Sequence, residues 1–217
     1  MPYSGKVRVG GAPDVRELSD LIITKTAVGP MDNNAYLLRC RQTGEELLID
    51  AADDAGTLLE LVGAEPLATV VTTHRHSDHW QALAAVVDYT EAATVVHEAD
   101  AAGIPVPTTR AVRDGERISV GQCELRVIHL VGHTPGSIAL LYDDPTGPPH
   151  LWTGDSLFPG GVGRTTSPAN FSRLLGDVET KLFDRLPDET WVYPGHGHDT
   201  TLGAERPSLG EWRARGW

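Results

Sequence analysis

The chain has 217 residues, of which 40% are hydrophobic, so it is long enough to bury a sizeable core in one domain or two small ones. Thirty acidic against 18 basic side chains give a formal net charge of -12, which argues against non-specific nucleic-acid binding and against docking on an anionic membrane surface. Two cysteines exclude a disulfide scaffold, and the absence of a bilayer-length apolar run or an apolar N-terminal stretch predicts a soluble, cytoplasmic protein.

Strands and helices alternate along the first half of the chain. Residues 1–20 are mixed in character and contain glycine and proline, so we expect an irregular lead-in there. Short β-branched runs predict strands, and apolar residues at helical spacing predict helices. The pair Asp53-Asp54 is the expected cap of the first helix, which ends at Gly63. The predicted strands are residues 21–24, 34–40, 46–49 and 67–73, and the predicted helices are residues 55–62 and 80–87.

The second half continues in the same style, with one long predicted helix over residues 170–186. The predicted strands are residues 93–97, 117–120, 124–130, 137–142, 150–153 and 191–193. Many strands with helices between them indicate an α/β layered sandwich. No glycine-rich linker divides the chain, so we predict one domain over residues 1–217 with a short C-terminal tail at about 200–217.

Seven side chains able to bind metal directly follow four of the predicted strands. They are His74, His76, Asp78 and His79 after the strand at 67–73, and then His133, Asp155 and His196, each after a later strand. Loops at one edge of a sheet commonly converge and hold function. Four donors on one loop crowd a single ion, but they can be divided between two ions about 3.5–4 Å apart. Imidazole and carboxylate without cysteine favour a hydrolytic site over a structural zinc site.

A glycine precedes the metal-binding side chain at three of these strand ends. Gly132 comes before His133, Gly154 before Asp155 and Gly195 before His196. Each strand must turn sharply at this point, and glycine tolerates the positive φ that such turns often need.

These motifs together resemble the metallo-β-lactamase superfamily. The run Thr-His-Arg-His-Ser-Asp-His at 73–79 is similar to its His-x-His-x-Asp-His signature, and later motifs follow in the family's order. The later motifs are Gly-His-Thr-Pro-Gly-Ser at 132–137, Thr-Gly-Asp-Ser-Leu-Phe at 153–158 and Pro-Gly-His-Gly at 194–197. Within the superfamily, residues 32–36 and 161–164 also resemble the glyoxalase II group, the hydroxyacylglutathione hydrolases.

The resemblance implies a four-layer αββα sandwich with two divalent metal ions at one edge of its sheets, zinc in the first place and iron or manganese as alternatives. It implies that three side chains bind the first metal, namely His74, His76 and His133. It implies that three others bind the second, namely Asp78, His79 and His196. Asp155 bridges the ions, and Asp78 is also the predicted catalytic residue. A hydroxide between the ions would attack the acyl carbon of a small-molecule thioester, and a thiolate would leave.

The chain departs from the glutathione-specific members of that group. Only 21 residues follow His196, where those members carry a further helical domain that contacts the thiol's carboxylates, so we expect a short, single-domain member. Arg164 stands where the family has a basic residue near glutathione and is a candidate substrate-binding residue, but Thr166 replaces the tyrosine expected two positions later. The thiol therefore stays open between glutathione and another, such as mycothiol.

Three alternative interpretations are considered for a chain with these residues. A persulfide dioxygenase would use a single iron held by two histidines and an aspartate, without His196. A lactonase would share all the ligands, whereas β-lactamases of this fold generally lack the bridging aspartate. A non-catalytic scaffold usually loses ligands, and none is lost here. The sequence does not indicate an oligomeric state.

The remaining histidines, cysteines and aromatic residues are interpreted as structural. We expect His97, His129, His150 and His198 to be core or surface residues without a role at the metals. Cys40 and Cys123 are interpreted as small buried hydrophobic residues, and Trp212 and Trp217 as cover for an apolar edge.

Overall fold

A computed structural model describes residues 3–216, so Met1, Pro2 and Trp217 lie outside the described part of the predicted domain. Its first sheet takes its seven strands in chain order. They are β1 (Asp14–Glu17), β2 (Leu21–Val28), β3 (Asn33–Cys40), β4 (Glu46–Ile49), β5 (Leu67–Val71), β6 (Ala93–His97) and β7 (Arg110–Val112). Neighbours from β1 to β4 pair antiparallel and those from β4 to β7 pair parallel, which sends β4, β5 and β6 towards the same edge.

The second sheet has the spatial order β15-β14-β11-β10-β9-β8. Its strands are β8 (Arg117–Val120), β9 (Cys123–His129), β10 (Ile138–Tyr142), β11 (His150–Gly154), β14 (Trp191–Pro194) and β15 (Thr200–Thr201). A separate hairpin is formed by β12 (Leu157–Phe158) and β13 (Gly161–Val162). Only β11 and β14 pair parallel among the described strands of this sheet, so their C-terminal ends lie side by side.

Helices cover the outer face of each sheet. They are α1 (Ala55–Val62), α2 (Leu83–Thr90), α3 (Pro168–Val178), α4 (Leu202–Glu205) and α5 (Leu209–Arg215). Leu58 of α1 and Val86 of α2 pack in a cluster on the first sheet, and Leu174 of α3 and Trp212 of α5 pack in another on the second. The predicted four-layer αββα sandwich is therefore confirmed.

The main core lies between the two sheets. Leu38 from β3 and Leu140 from β10 are both fully buried there, and Trp152 stacks on Tyr193 at a centroid distance of 5.0 Å. Successive side chains of a strand point to opposite faces. Strands covered on both faces therefore read as near-continuous apolar runs, as β10 does with all five residues buried.

The structure differs from the sequence prediction at both ends of the chain. The lead-in contains β1, and the tail contains β15, α4 and α5. The long predicted helix is α3 followed by a π-helical segment, Glu179–Phe183. The predicted cap is confirmed, because the Asp54 side chain accepts a hydrogen bond from the Thr57 amide. Within residues 3–216, no helix combines the length and the apolarity needed to cross a bilayer.

Candidate metal centre

All seven predicted donors converge at one edge of the two sheets. The first four follow β5, and His79 closes a short 3-10 turn, Ser77–His79. His133 follows β9, while Asp155 and His196 follow the adjacent parallel strands β11 and β14. Because those two strands end side by side, their polar side chains reach the same point from different parts of the chain.

Three imidazoles form the first group. His74 Nε2 lies 3.1 Å from His76 Nδ1, which lies 2.9 Å from His133 Nε2. The triangle closes with 3.2 Å between the Nε2 atoms of His133 and His74. Nitrogens bound to a tetrahedral zinc at about 2.0–2.1 Å lie about 3.3–3.4 Å apart, so the triangle is close to the size that one ion requires.

Asp78, His79 and His196 form the second group. Asp78 Oδ2 lies 3.3 Å from His196 Nε2 and 3.5 Å from His79 Nε2. Asp155 stands between the two groups. Its Oδ1 is 3.3 Å from His79 Nε2, and its Oδ2 is 3.5 Å from His196 Nε2 and 3.6 Å from His133 Nε2. One carboxylate therefore faces donors of both groups.

Contacts behind the rings determine which nitrogen faces the centre. His133 Nδ1 lies 2.7 Å from the Arg164 carbonyl oxygen, and His196 Nδ1 lies 2.9 Å from the Met31 carbonyl oxygen. A carbonyl can only accept, so each Nδ1 carries the hydrogen and each Nε2 presents a lone pair inward. Such partners fix the orientation of metal-binding histidines and raise their basicity.

Asp50 organises the loop that follows β5. Its Oδ2 lies 2.8 Å from His79 Nδ1 and accepts from the Thr73 hydroxyl at 2.8 Å, and its Oδ1 accepts from the Thr73 amide at 2.7 Å. That hydroxyl lies 3.1 Å from His74 Nδ1 and can accept its hydrogen. The sequence analysis missed Asp50. The signal available was an acidic residue directly after β4, at the same edge of the sheet as the donors.

Asn33 is a second residue beside the donors. Its side-chain amide donates to Asp78 Oδ2 at 2.9 Å, and its backbone forms an isolated antiparallel bridge with His196. The segment 32–36 entered the sequence analysis only through its resemblance to the glyoxalase II group.

Burial and neighbouring charges set the protonation of the cluster. Burial lowers the pKa of both His74 and His133, which keeps their lone pairs available. Burial raises the pKa of Asp155, but the adjacent His196 and His79 side chains outweigh it and hold that pKa well below its usual range. Burial lowers the pKa of His79, but the Asp50 and Asp155 carboxylates outweigh it and raise that pKa to about 10. A proton and a cation compete for the same His79 lone pair, so cation binding depends on pH.

The donor set fits a pair of divalent cations. Among the described residues, His79 Nε2 and Asp155 Oδ1 are buried and have no hydrogen-bond partner. Unpaired buried polar atoms are costly, and both atoms point into the cluster. Imidazole nitrogens and carboxylate oxygens suit zinc, iron and manganese.

Two of the three strand-end glycines have the expected conformation. Gly132 and Gly154 have φ of 144° and 48°. Gly195 does not have positive φ, so that expectation is wrong there. Its role is spatial, because a Cβ at Gly195 would lie 2.2 Å from Asp155 Oδ1 and 2.7 Å from His79 Cε1.

A cavity of about 730 Å³ opens beside the first group. Its lining includes His76 and His133 together with Arg164, Phe171 and Arg215. The structure thus places the candidate substrate-binding Arg164 at this cavity, and the Arg164 carbonyl also holds His133.

The histidines interpreted as structural lie outside the donor groups. His97 and His129 stack on each other at 3.8 Å, and His150 Nδ1 lies 2.8 Å from the Tyr193 hydroxyl. Cys40 and Cys123 are buried as expected, and so is Trp212, whereas Trp217 lies outside the described residues.

Known proteins resemble this chain in sequence and in fold. The family model of the metallo-beta-lactamase superfamily matches residues 28–196. A hydroxyacylglutathione hydrolase from Polaromonas is 37% identical over 168 residues, which cover 76% of this chain and 62% of that relative. The solved structure of ETHE1 from Myxococcus xanthus is 30% identical with a TM-score of 0.76, and the match covers 88% of this chain and 84% of that one. TTHA1623, solved in a di-iron-bound form, is 32% identical with a TM-score of 0.70, and the match covers 84% of this chain and 96% of that one.

Proposed function

This chain belongs to the metallo-β-lactamase superfamily, and from that premise we propose that it is a dinuclear metallohydrolase that cleaves acyl thioesters of a small thiol. The observation that carries the proposal is the Asp155 carboxylate, which faces a three-imidazole group on one side and the Asp78 group on the other. The hydroxyacylglutathione hydrolase relative supports the thioester, although this chain covers only 62% of its length. The di-iron-bound form of TTHA1623 supports a pair of ions.

The proposed division of ligands follows the two groups. The first ion is assigned to His74, His76 and His133, the second to Asp78, His79 and His196, and Asp155 is assigned to both. When bound, divalent ions of this kind act as Lewis acids on a carbonyl oxygen and make water nucleophilic near neutral pH.

The chain's own residues orient the reactants. Burial raises the pKa of Asp78, but the hydrogen bond from Asn33 and the adjacent His79 outweigh it and bring that pKa below its usual range. Asp78 is therefore ionised at neutral pH and able to accept a hydrogen bond from an attacking water, which is the catalytic role we assign to it.

The cavity lined by Arg164 and Phe171 has room for the thiol portion of a substrate beside His76. A thiolate is a good leaving group and needs little protonation as it departs.

Metal analysis and a substrate panel test this proposal together. Purified protein should contain up to two transition ions per chain and hydrolyse S-lactoylglutathione or a related thioester. His76→Ala should lose that activity, whereas Tyr89→Ala should keep it, because Tyr89 is an exposed residue on α2 away from the donor groups.

Two outcomes would contradict the proposal. Absence of turnover across thioesters of several thiols, with both ions loaded, would exclude a thioesterase. Oxygen uptake with glutathione persulfide and a single bound iron would assign the site to persulfide oxidation. A lactone is assayed in parallel, because a lactonase would use the same donors.

A further inference from the structure

Asp100 is a buried carboxylate between the two loops that carry the first donor group. It lies in the connection from β6 to β7, and its side chain is 0% exposed. It contributes no donor atom to either group. A buried carboxylate is rare unless it is paired or hydrogen-bonded, so its partners indicate what it does.

The partners of Asp100 come from both loops. Its Oδ2 accepts from the Arg75 amide at 3.0 Å and from the Thr134 hydroxyl at 2.5 Å. Its Oδ1 accepts from the Gly136 amide at 2.9 Å. The Arg75 guanidinium lies 3.8 Å from the same oxygen and supplies an opposite charge.

These contacts connect the metal-binding histidines through one side chain. Arg75 stands between His74 and His76 in the sequence, and Thr134 directly follows His133. Gly136 packs directly against Asp100, because a Cβ at Gly136 would lie 2.7 Å from the Asp100 backbone nitrogen and from its Cγ. The separation of the two loops therefore depends on the size and charge of the Asp100 side chain.

We propose that Asp100 is a positioning residue that sets the spacing of His74, His76 and His133 and thereby the metal affinity of the three-histidine group alone. The inference rests on the proposed metal site. The second group has other supports, since Asp50 holds His79 and the Met31 carbonyl holds His196. Asp100 hydrogen-bonds none of those residues.

Asp100→Asn is the sharpest substitution, because it preserves shape and removes one acceptor. Both carboxylate oxygens accept from backbone amides, those of Arg75 and Gly136. In either orientation the asparagine must turn its NH₂ group towards one of these N–H groups. One of the two backbone hydrogen bonds to the loops is then lost while the other is kept.

The experiment measures Co²⁺ affinity by competition with a chromophoric chelator in metal-free protein. Two backgrounds isolate the groups: His196→Ala leaves the three-histidine group complete, and His133→Ala leaves the second group complete. Asp100→Asn should weaken Co²⁺ binding about 10–100-fold in the first background, as expected when a group supporting the ligands is lost. In the second background we expect no more than about a twofold change, within the scatter of independent sites.

Glu205→Gln is the matched control. Glu205 is also a buried carboxylate that accepts from a backbone amide, that of Gly160, and from a threonine hydroxyl, that of Thr200. Neither of the connected loops bears a histidine of the first group. This substitution should leave Co²⁺ affinity unchanged in the His196→Ala background. Thr134→Val removes one hydrogen bond to Asp100 and should lower Co²⁺ affinity less than Asp100→Asn does. It replaces Asp100→Asn as the test if that variant does not fold.

The outcomes separate this inference from the proposed function. If the His196→Ala background with Asp100 intact binds no Co²⁺, both are overturned. If it binds Co²⁺ and neither Asp100→Asn nor Thr134→Val weakens binding, only the positioning role is wrong. An equal loss in both backgrounds, with a matching loss of far-ultraviolet circular dichroism, would also overturn it in favour of a general structural role.

Discussion

Gly195 allows the Asp155 carboxylate and the His79 ring to lie side by side at the junction of the two donor groups. Its φ is not positive, so alanine would not be forced into the left-handed region there. The obstacle to alanine is steric, because the Asp155 and His79 side chains already occupy the space that its Cβ needs. The absence of a side chain at Gly195 thus allows the Asp155 carboxylate to occupy its position between the two donor groups.

Gly195→Ala should displace Asp155 and weaken metal binding at both groups by at least tenfold, as expected when ligand orientation is disturbed. Overpacking should lower the free energy of unfolding by about 1–3 kcal/mol. Metal competition and urea unfolding measure the two effects. Gly210→Ala, in α5 with no neighbouring side chain or other element within 4 Å of the added Cβ, should instead raise stability by about 0.5–1 kcal/mol. Unchanged metal affinity in Gly195→Ala would contradict the spatial role.

Glu46 gives a prediction about pH and stability at a site away from the metals. Burial raises the pKa of this β4 carboxyl to about 7, and among the described residues its Oε2 has no hydrogen-bond partner. The folded state therefore holds this proton more tightly than the unfolded state does. Its contribution to stability is present below about pH 4.5 and is lost as pH rises towards 7.

Glu46→Gln should therefore gain stability relative to the natural protein as pH rises from about 4.5 to 7, because glutamine has no charge to desolvate. Urea unfolding at several pH values measures the difference. Glu17→Gln removes an exposed carboxylate that pairs with Arg41 and is the control. A Glu46→Gln difference that stays constant with pH would show that the buried carboxyl does not titrate in this range.

Residues within a local motif were predictable, whereas residues that act through space were not. His74, His76 and Asp78 stand together in one recognisable run, so the sequence analysis predicted their position. Asp50 contacts the start of that loop at Thr73, which is 23 positions away in the sequence. Asp100 contacts it at Arg75, which is 25 positions away. A lone aspartate after a strand is common, so only the folded arrangement identifies what these two hold.

The elements missed by the sequence analysis are short or depend on tertiary contacts. β1 has four residues that alternate between half-buried and exposed, and it forms because it pairs with β2. The tail forms α5 because one side of it is covered, as shown by Trp212, which is 1% exposed and contacts Phe183 edge-to-face at 6.4 Å. Seven residues are too few for a helix that is stable without such packing.

Trp212→Ala should lower the free energy of unfolding by about 3–5 kcal/mol, the usual loss for removing a buried tryptophan. Urea unfolding followed by circular dichroism measures it. Tyr89→Ala, at a side chain that is 73% exposed, should change stability by no more than about 0.5 kcal/mol. Equal effects of the two substitutions would mean that α5 contributes nothing to the core.

At the scale of the whole molecule, the core between the sheets is built without the donor residues. Removal of metal by a chelator should therefore leave the far-ultraviolet circular dichroism unchanged while lowering the thermal midpoint. Each ion present at 100 times its dissociation constant stabilises by about 2.7 kcal/mol, which corresponds to roughly 5–10 °C per ion for a chain of this size. Differential scanning calorimetry before and after chelation measures the shift. Unfolding on chelation would show that the ions are needed for the sheets themselves.

The position of His196 after β14, late in the sequence, has a consequence for biosynthesis. As the ribosome makes the chain, the three-histidine set is complete in sequence once residue 133 has been added, but the second set is incomplete until residue 196 has emerged. Under the proposed two-ion assignment, the growing chain therefore completes the first donor set 63 residues before it completes the second.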